Sequence, residues 1–531
     1  MERDTLVTVN PEGRARQLEA RARLLQSETF GSIIMVIAAV VAIILANSAA
    51  YPIYEDLLDF QLGIHINGFL IDDMFIGLTL EEWVNDVLMT LFFLCVGMEV
   101  KYEILVGELK DVRAALLPII AACGGVLMPI IIYSIFNFGG DYAKGFGIPM
   151  ATDIAFAIGV LSLVGKGIPR GLVVFLKTLA IADDIMAIVV IALFYGQSPD
   201  LFWMGMAAIV LVVLILLNVF KIYYLTPYVV LGIVLWFCVF NSGIECTIAG
   251  VILAFTIPTK SRINARVFGK WVIAKILEAY DRYVPGQPIL AQASYSDTVY
   301  SIHEVSRAVE APLNRLERLI SPWSNYFILP IFAFFNAGVR LVGVDMGEVL
   351  MDPVVHGVFF GLFLGKPIGI FLASFICIKT GLTPMPSGCQ FKHMLGAGML
   401  GGIGFTMAIY VANLSFTGAG ADEITMMAKA SILCASVASG VVGVIYLKSV
   451  LAADRKRGIV IESHPDVEDI IDADIDNLVE ISKTAAEDEL GEGEHLILST
   501  QLGEVSDEEL INAFMQAINA GDELYKSIEN K

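Results

Sequence analysis

Charge is scarce in this chain. Asp, Glu, Lys and Arg together make 17% of its residues, against roughly a quarter in soluble domains. Hydrophobic residues make 56%, and the mean hydropathy is +0.73. That balance excludes an ordinary soluble domain and leaves an integral membrane protein with many spans. A basic patch of the kind that neutralises phosphates is missing as well, so nucleic acid is not expected as a partner. There is no GxxxxGK(S/T) loop, so ATP-driven pumping has no support. The seven cysteines include no CxxC pair. All but Cys389 fall in apolar runs, where they read as small packing residues and not as a disulfide framework. The six histidines show no metal-ligand spacing, and no Ser-His-Asp set can be placed in a pocket. The expectation is a protein without cofactor and without enzymatic chemistry. The polar, mixed-charge first residues show no cleavable signal.

Apolar runs are what the chain has in abundance. They lie near 30–47, 85–101, 114–135, 147–164, 171–195, 201–219, 224–240, 242–258, 325–343, 354–378, 393–415 and 424–447. Most reach the ~20 residues needed to cross a bilayer. The loops between them alternate in Lys and Arg. Ala49 to Trp83 has none, the next loop has Lys101, Lys110 and Arg113, and the alternation continues to Lys448 and Arg455-Lys456-Arg457 after the last run. By the positive-inside rule both termini are cytoplasmic. An odd number of spans would break this alternation. The sequence therefore predicts an all-α integral membrane protein with twelve transmembrane helices.

Two parts leave the bilayer. The connection of about 259–322 has mixed charge, with helix expected over Val267–Asp281 and His303–Ile320. The formal charge of −21 resides mostly in an acidic cytoplasmic tail, 453–531, after a short N-terminal segment, 1–28, and the membrane domain, 29–452. The tail reads as a small helical module or as disordered. Ser506 with Glu509 has capping-box spacing ahead of an apolar run. Asp472, Asp474 and Asp476 mimic the start of a calcium loop, but Asn477 stands where the turn glycine is needed and Lys483 where the bidentate Glu belongs.

The chemistry lies where charge enters the apolar runs. Lys177 to Tyr195 reads KTLAIADDIMAIVVIALFY, with Asp183 and Asp184 near its middle. One Asp at a helix centre costs ~2.5–3.5 kcal/mol on insertion scales, so intramembrane acids mark ion or proton paths. The two are about 100° apart on a helix, so one lines a cavity while the other faces a neighbour. Burial and mutual repulsion disfavour the doubly ionised pair, which titrates as a unit. Such a pair holds a proton or a small cation but hardly both, the minimal physics of an antiporter. The alternative is a salt-bridged pair that only locks helices.

Two runs carry signs of broken helices, at Pro149, Thr152 and Asp153 in one and at Gly401, Gly402 and Gly404 in the other. Breaks are tolerated at membrane depth only where the backbone lines a cavity or is buried in protein. Asp153 reads as compensating the helix-end dipoles and Thr152 as an oxygen ligand, with plain packing as the alternative for both. Lys366 is the deep cation, suited to pairing with Asp183 or Asp184, to carrying a proton itself, or to neutralising helix ends. Glu99, Lys101 and Glu103, with Glu317 and Arg318, suggest an acidic cluster at a cytoplasmic funnel mouth, or merely a solvated interfacial run.

These residues resemble the NhaA family of sodium/proton antiporters over about residues 29–450. The strongest stretches are NDVLMTLFFLCVGMEVK (85–101), IPMATDIAFAIGV (148–160), LAIADDIMAIVVIALFY (179–195), LPIFAFFNAGV (329–339), GKPIGI (365–370) and GGIGFTMAIYVA (401–412). The resemblance implies inverted-topology repeats, spans three to five against ten to twelve, with two broken helices crossing at the midplane. It implies electrogenic exchange of sodium or lithium for protons, with alkaline activation, in a bacterial inner-membrane protein that forms homodimers. Asp183 and Asp184 would match the ion- and proton-binding aspartates, Asp184 the more central; Asp153 and Thr152 the broken-helix residues; and Lys366 the essential lysine. Tyr102, Glu245 and Arg318 depart from regulatory positions of the family, so the pH response carried by Glu99, Glu103, Glu245 and Glu317 is expected to differ. Two rivals remain at this point. A sodium-coupled symporter for an organic anion needs a roomier cavity and no acidic pair, and a channel or sensor would use the acidic tail as output.

Overall fold

The computed structural model describes residues 28–456, apart from short stretches at 69–70, 111, 140, 166, 197–198, 264, 285–286, 341, 343–345 and 417–420. The expectations for the N-terminal segment before 28 and for the acidic tail beyond 456 lie outside the described residues. The chain runs α1 (Glu28–Ala46), α2 (Tyr51–Leu58), β1 (Gln61–Gly68), β2 (Ile71–Thr79), α3 (Leu80–Leu105), α4 (Val112–Phe136), a 3₁₀ segment Asp141–Met150, α5 (Ile154–Ser162), α6 (Arg170–Phe194), α7 (Leu201–Val219), α8 (Leu225–Ser242) and α9 (Ile248–Thr256). Then follow α10 (Ala265–Arg282), α11 (Ala293–Val309), α12 (Pro312–Trp323), α13 (Leu329–Asn336), α14 (Met346–Met351), α15 (Pro353–Lys379), α16 (Phe391–Gly401), α17 (Phe405–Ser415) and α18 (Ala421–Lys456).

Six helices among the described residues are long and apolar enough to cross a membrane, or up to nine if each bent pair counts as one span. α7 is the clearest lipid-facing helix: only 11% of its apolar stretch is buried, which no soluble protein would expose. The chain is a multi-pass membrane protein. α6 falls outside the six for a telling reason. Every eighteen-residue stretch of it contains Lys177, Asp183 and Asp184, so the charges that mark the site also dilute the span's apolar signal.

Several boundaries differ from expectation. β1 and β2 pair antiparallel from Gln61↔Thr79 to Gly68↔Ile71, where the sequence suggested only a turn-around. Thr79 closes that hairpin and opens α3 as a capping box with Glu82. The expected helix over 303–320 is two helices, because Pro312 starts α12 and leaves Ala311 extended. The run 325–343 stops being helical at Asn336, where Asn47 Nδ2 donates to Val339 O at 2.7 Å and holds the following chain against the end of α1. α18 continues past the expected end of the membrane domain to Lys456. Its Asp454, fully buried, accepts from Lys392 Nζ and lies 3.0 Å from His393 Nε2, tying its end to the start of α16.

The core that positions the site gathers Phe175, Leu179, Leu362, Ile370, Leu400, Ile403 and Met407, with Ala121 and Ala122 admitting close helix contacts. A second cluster around Leu94, Met98, Leu214, Tyr228, Leu235 and Leu253 packs α3 with α7, α8 and α9.

Candidate ion-binding site

The two breaks meet. The 3₁₀ segment and α5 bend by 43° across residues 151–153, and α16 and α17 bend by 48° across 402–404. Asp153 N donates to Ile403 O at 2.8 Å, so backbone satisfies backbone across the crossing. A side chain at Gly402 would place its Cβ 2.7 Å from Leu362 O, so the second break passes α15 only with glycine there.

Asp153 caps both outgoing half-helices. Its Oδ1 accepts from Phe156 N at 2.9 Å, at the N-terminus of α5, and its Oδ2 from Thr406 N at 3.2 Å and Thr406 Oγ1 at 2.5 Å, at the N-terminus of α17. One buried carboxylate thus meets two positive helix ends, the geometry expected of dipole compensation. Thr152 turns the other way. Its Oγ1 donates to Gly401 O at 2.9 Å, at the C-terminal end of α16, and accepts from Lys366 Nζ at 2.7 Å.

Lys366 is fully buried and also donates to Asp183 Oδ2. A π-helical turn, Gly361–Gly365, immediately precedes it. That widened turn accommodates Pro367, which lacks an N–H, without ending α15. The distortion the sequence assigned to Pro367 therefore lies on its N-terminal side. Asp183 and Asp184 are each 2% exposed in the middle of α6. Asp183 Oδ1 and Asp184 Oδ1 are buried without a hydrogen-bond partner. Native interiors rarely leave such oxygens unmet, and an ionised carboxylate without a counter-charge is costly to bury. The arrangement stores acceptor capacity for a proton or an oxygen-seeking cation, and Lys366 already competes for one of the two acids.

The four glutamates do not form one cluster. Glu99 on α3 lies 3.5 Å from Lys177 on α6. Glu317 on α12 is partly buried near both, and burial, followed by the charge of Glu99, holds its carboxyl above the ordinary value. Glu103 is one turn beyond Glu99, against Gly107. Glu245 stands apart: it follows the left-handed Gly243 (φ 78°) that ends α8, and accepts from Tyr410 Oη at 2.5 Å. Its neighbour Asp86 precedes Glu99 by thirteen residues on α3, about 20 Å at 1.5 Å per residue. Lys101 is not part of a funnel rim either. Its Nζ donates to Ala254 O, Phe255 O at 2.7 Å and Ile257 O, satisfying carbonyls at the C-terminal end of α9. Arg318 pairs with Glu310 at 2.7 Å.

Sequence reasoning missed an amide chain: Asn413 Nδ2 donates to Asn336 Oδ1 at 2.6 Å, and Asn336 Nδ2 to Asn85 Oδ1 at 2.9 Å. It links α17, α13 and α3. The only signal was three asparagines inside apolar runs. Lys429, half-buried on α18, finds Glu81 at 3.9 Å.

A family model described as Na+/H+ antiporter 1 matches residues 22–447. The chain is 46% identical over 436 residues to the Na(+)/H(+) antiporter NhaA of Helicobacter pylori, covering 82% of this chain and 96% of that protein. It is 44% identical to the NhaA of Wolinella succinogenes, covering 80% and 91%. A solved sodium proton antiporter from Methanocaldococcus jannaschii aligns with TM-score 0.40 and 14% identity, over 83% of this chain and 98% of that one. By the first two findings the chain belongs to the NhaA family of Na+/H+ antiporters.

Proposed function

We propose that this protein exchanges cytoplasmic Na+ or Li+ for external protons, and so controls internal pH and sodium. The observation that carries this reading is the buried acid pair with two unpartnered oxygens beside a fully buried lysine. In one state the pair opens to the cytoplasm, where a cation takes the Asp184 and Asp183 oxygens and displaces protons. The loaded site is re-exposed outside, where protons displace the cation. Lys366 holds Asp183 in the empty state, so a cation at Asp183 must release that contact, and Thr152 is the oxygen that would change partners with it. Asp153 keeps the two half-helices crossed through the cycle. An excess of protons per cation makes the exchange electrogenic, with ~2.3 kcal/mol available per net charge per 100 mV.

The same reading includes twelve spans with inverted repeats, both termini in the cytoplasm of a bacterial inner membrane, a homodimer, and Glu99, Glu103, Glu245 and Glu317 tuning the pH response. The loop alternation in Lys and Arg supports the orientation. The two break points in corresponding places of the chain support the repeats. Proteoliposomes with an internal pH dye test the function. Adding Na+ or Li+, but not an impermeant cation, should drive proton movement that responds to a clamped potential. Sodium flow without proton counter-movement would favour a channel and end this reading.

A further inference from the structure

Away from the aspartate pair, three donors converge: the carboxylates of Asp86 and Glu245 and the thiol of Cys246, their ligand atoms all within 4.8 Å of one another. Two separate segments build this set. Asp86 lies in the π-helical turn Val84–Leu88 of α3, and Glu245 and Cys246 lie in the turn between α8 and α9 that Gly243 initiates. The π turn widens the helix there, and its backbone is fully employed: Asp86 O accepts from Thr90 Oγ1 at 2.5 Å and Trp236 Nε1 at 3.3 Å, and lies 3.5 Å from Cys246 Sγ. Cys246 is 4% exposed. Glu245 accepts from Tyr410 Oη at 2.5 Å, and Tyr410 Oη also lies 3.2 Å from Thr247 Oγ1. No Lys or Arg forms an ion pair with Asp86 or Glu245 among the described residues.

We propose that Asp86, Glu245 and Cys246 form a binding site for a thiophilic divalent cation of the Zn2+ type, and that its occupancy inhibits exchange. The donor chemistry selects the class. Thiolate and carboxylate together suit Zn2+, whereas Mg2+ and Ca2+ take oxygens alone. Ligand atoms around tetrahedral Zn2+ stand roughly 3.3–3.8 Å apart, given bond lengths of about 2.0–2.3 Å. Closing from separations of up to 4.8 Å needs at most ~1.5 Å, within reach of side-chain rotation. On binding, Cys246 gives up its proton to solvent and water fills the fourth position. Inhibition follows from Tyr410. It sits on α17, the half-helix capped by Asp153, and shares Glu245 with the metal. Occupancy ties Glu245, in the α8–α9 turn, to Asp86 on α3, and so restrains the contact through which α17 meets that turn.

The binding claim is independent of the proposed exchange, whereas the inhibition claim rests on it. Purified full-length protein titrated with Co2+ as a spectroscopic probe should bind one ion with a thiolate-to-cobalt charge-transfer band. Cys246→Ser should abolish the band and Cys95→Ser should keep it. Asp86→Asn should weaken binding at least tenfold while retaining the elution profile of the folded protein. A band that survives in Cys246→Ser, or the absence of binding to the wild type, overturns the site. In proteoliposomes, Zn2+ added to each side in turn should remove more than half of sodium-driven proton movement from one side only, and Cys246→Ser should be at least tenfold less sensitive. Equal sensitivity in the variant overturns the inhibitory role. If no exchange occurs without metal, the proposed function has failed, and the cobalt titration still decides the site.

Discussion

Replacing Lys366 by Met isolates the electrostatics of the site. The ammonium is fully buried, and its partner Asp183 is 2% exposed. Removing one member of such a pair leaves an uncompensated charge and costs ~3–5 kcal/mol. Thr152 Oγ1 also loses the donor it holds at 2.7 Å, adding about 1 kcal/mol. Adding Asp183→Asn should reverse most of this loss, because replacing both charges is commonly neutral or stabilising by ~1–4 kcal/mol. The order of melting temperatures is therefore double variant close to wild type, and single Lys366→Met well below both. Thermal unfolding in detergent, followed by reaction of a thiol-specific dye with the buried Cys238 and Cys377, reads that order. A single variant as stable as wild type, or a double variant no better than the single, would refute the assignment of Lys366 as the counter-charge of Asp183.

Three further outcomes follow. Asp153→Ala removes the acceptor at two helix N-termini and should cost ~1–4 kcal/mol, at ~0.5–2 per cap; Asp153→Asn should recover part of it, and the same thiol-dye melts measure both. Gly402→Val drives a side chain into Leu362 O and should lose ~1–3 kcal/mol by overpacking, with purified yield and melting temperature as readouts. Glu317, held above its ordinary value by burial and then by Glu99, favours the folded state while protonated. That contribution is complete below the free value near 4.3 and is lost as pH rises through the higher folded value. Melting temperature should therefore fall with rising pH across this mildly acidic window, and Glu317→Gln should flatten the fall.

Much of the site was legible in the sequence because membrane burial makes charge conspicuous. Asp183, Asp184, Asp153 and Lys366 stood out for being charged in apolar runs, and the structure places all four at one crossing. Their pairing was not legible: Asp183 and Asp184 are adjacent on α6, and only the placement of α15 beside α6 shows that Lys366 meets Asp183. The breaks were readable from Pro149 and the glycines, but the sharing of Asp153 between two helix ends requires the crossing itself. Lys101 shows the opposite failing. Sequence proximity to Glu99 and Glu103 at a helix end suggested a common rim, whereas Lys101 folds inward onto the carbonyls at the end of α9. The β1–β2 hairpin escaped because a search for long apolar runs has no power over short alternating segments.

Sodium binding to the detergent-solubilised protein, followed by calorimetry in buffers of different ionisation heat, bears most directly on whether the acid pair chooses between proton and metal. Binding should release protons to the buffer, and Asp184→Asn should lose both the binding and the release while melting as a folded protein. Sodium bound without proton release, or bound unchanged by Asp184→Asn, would contradict the account.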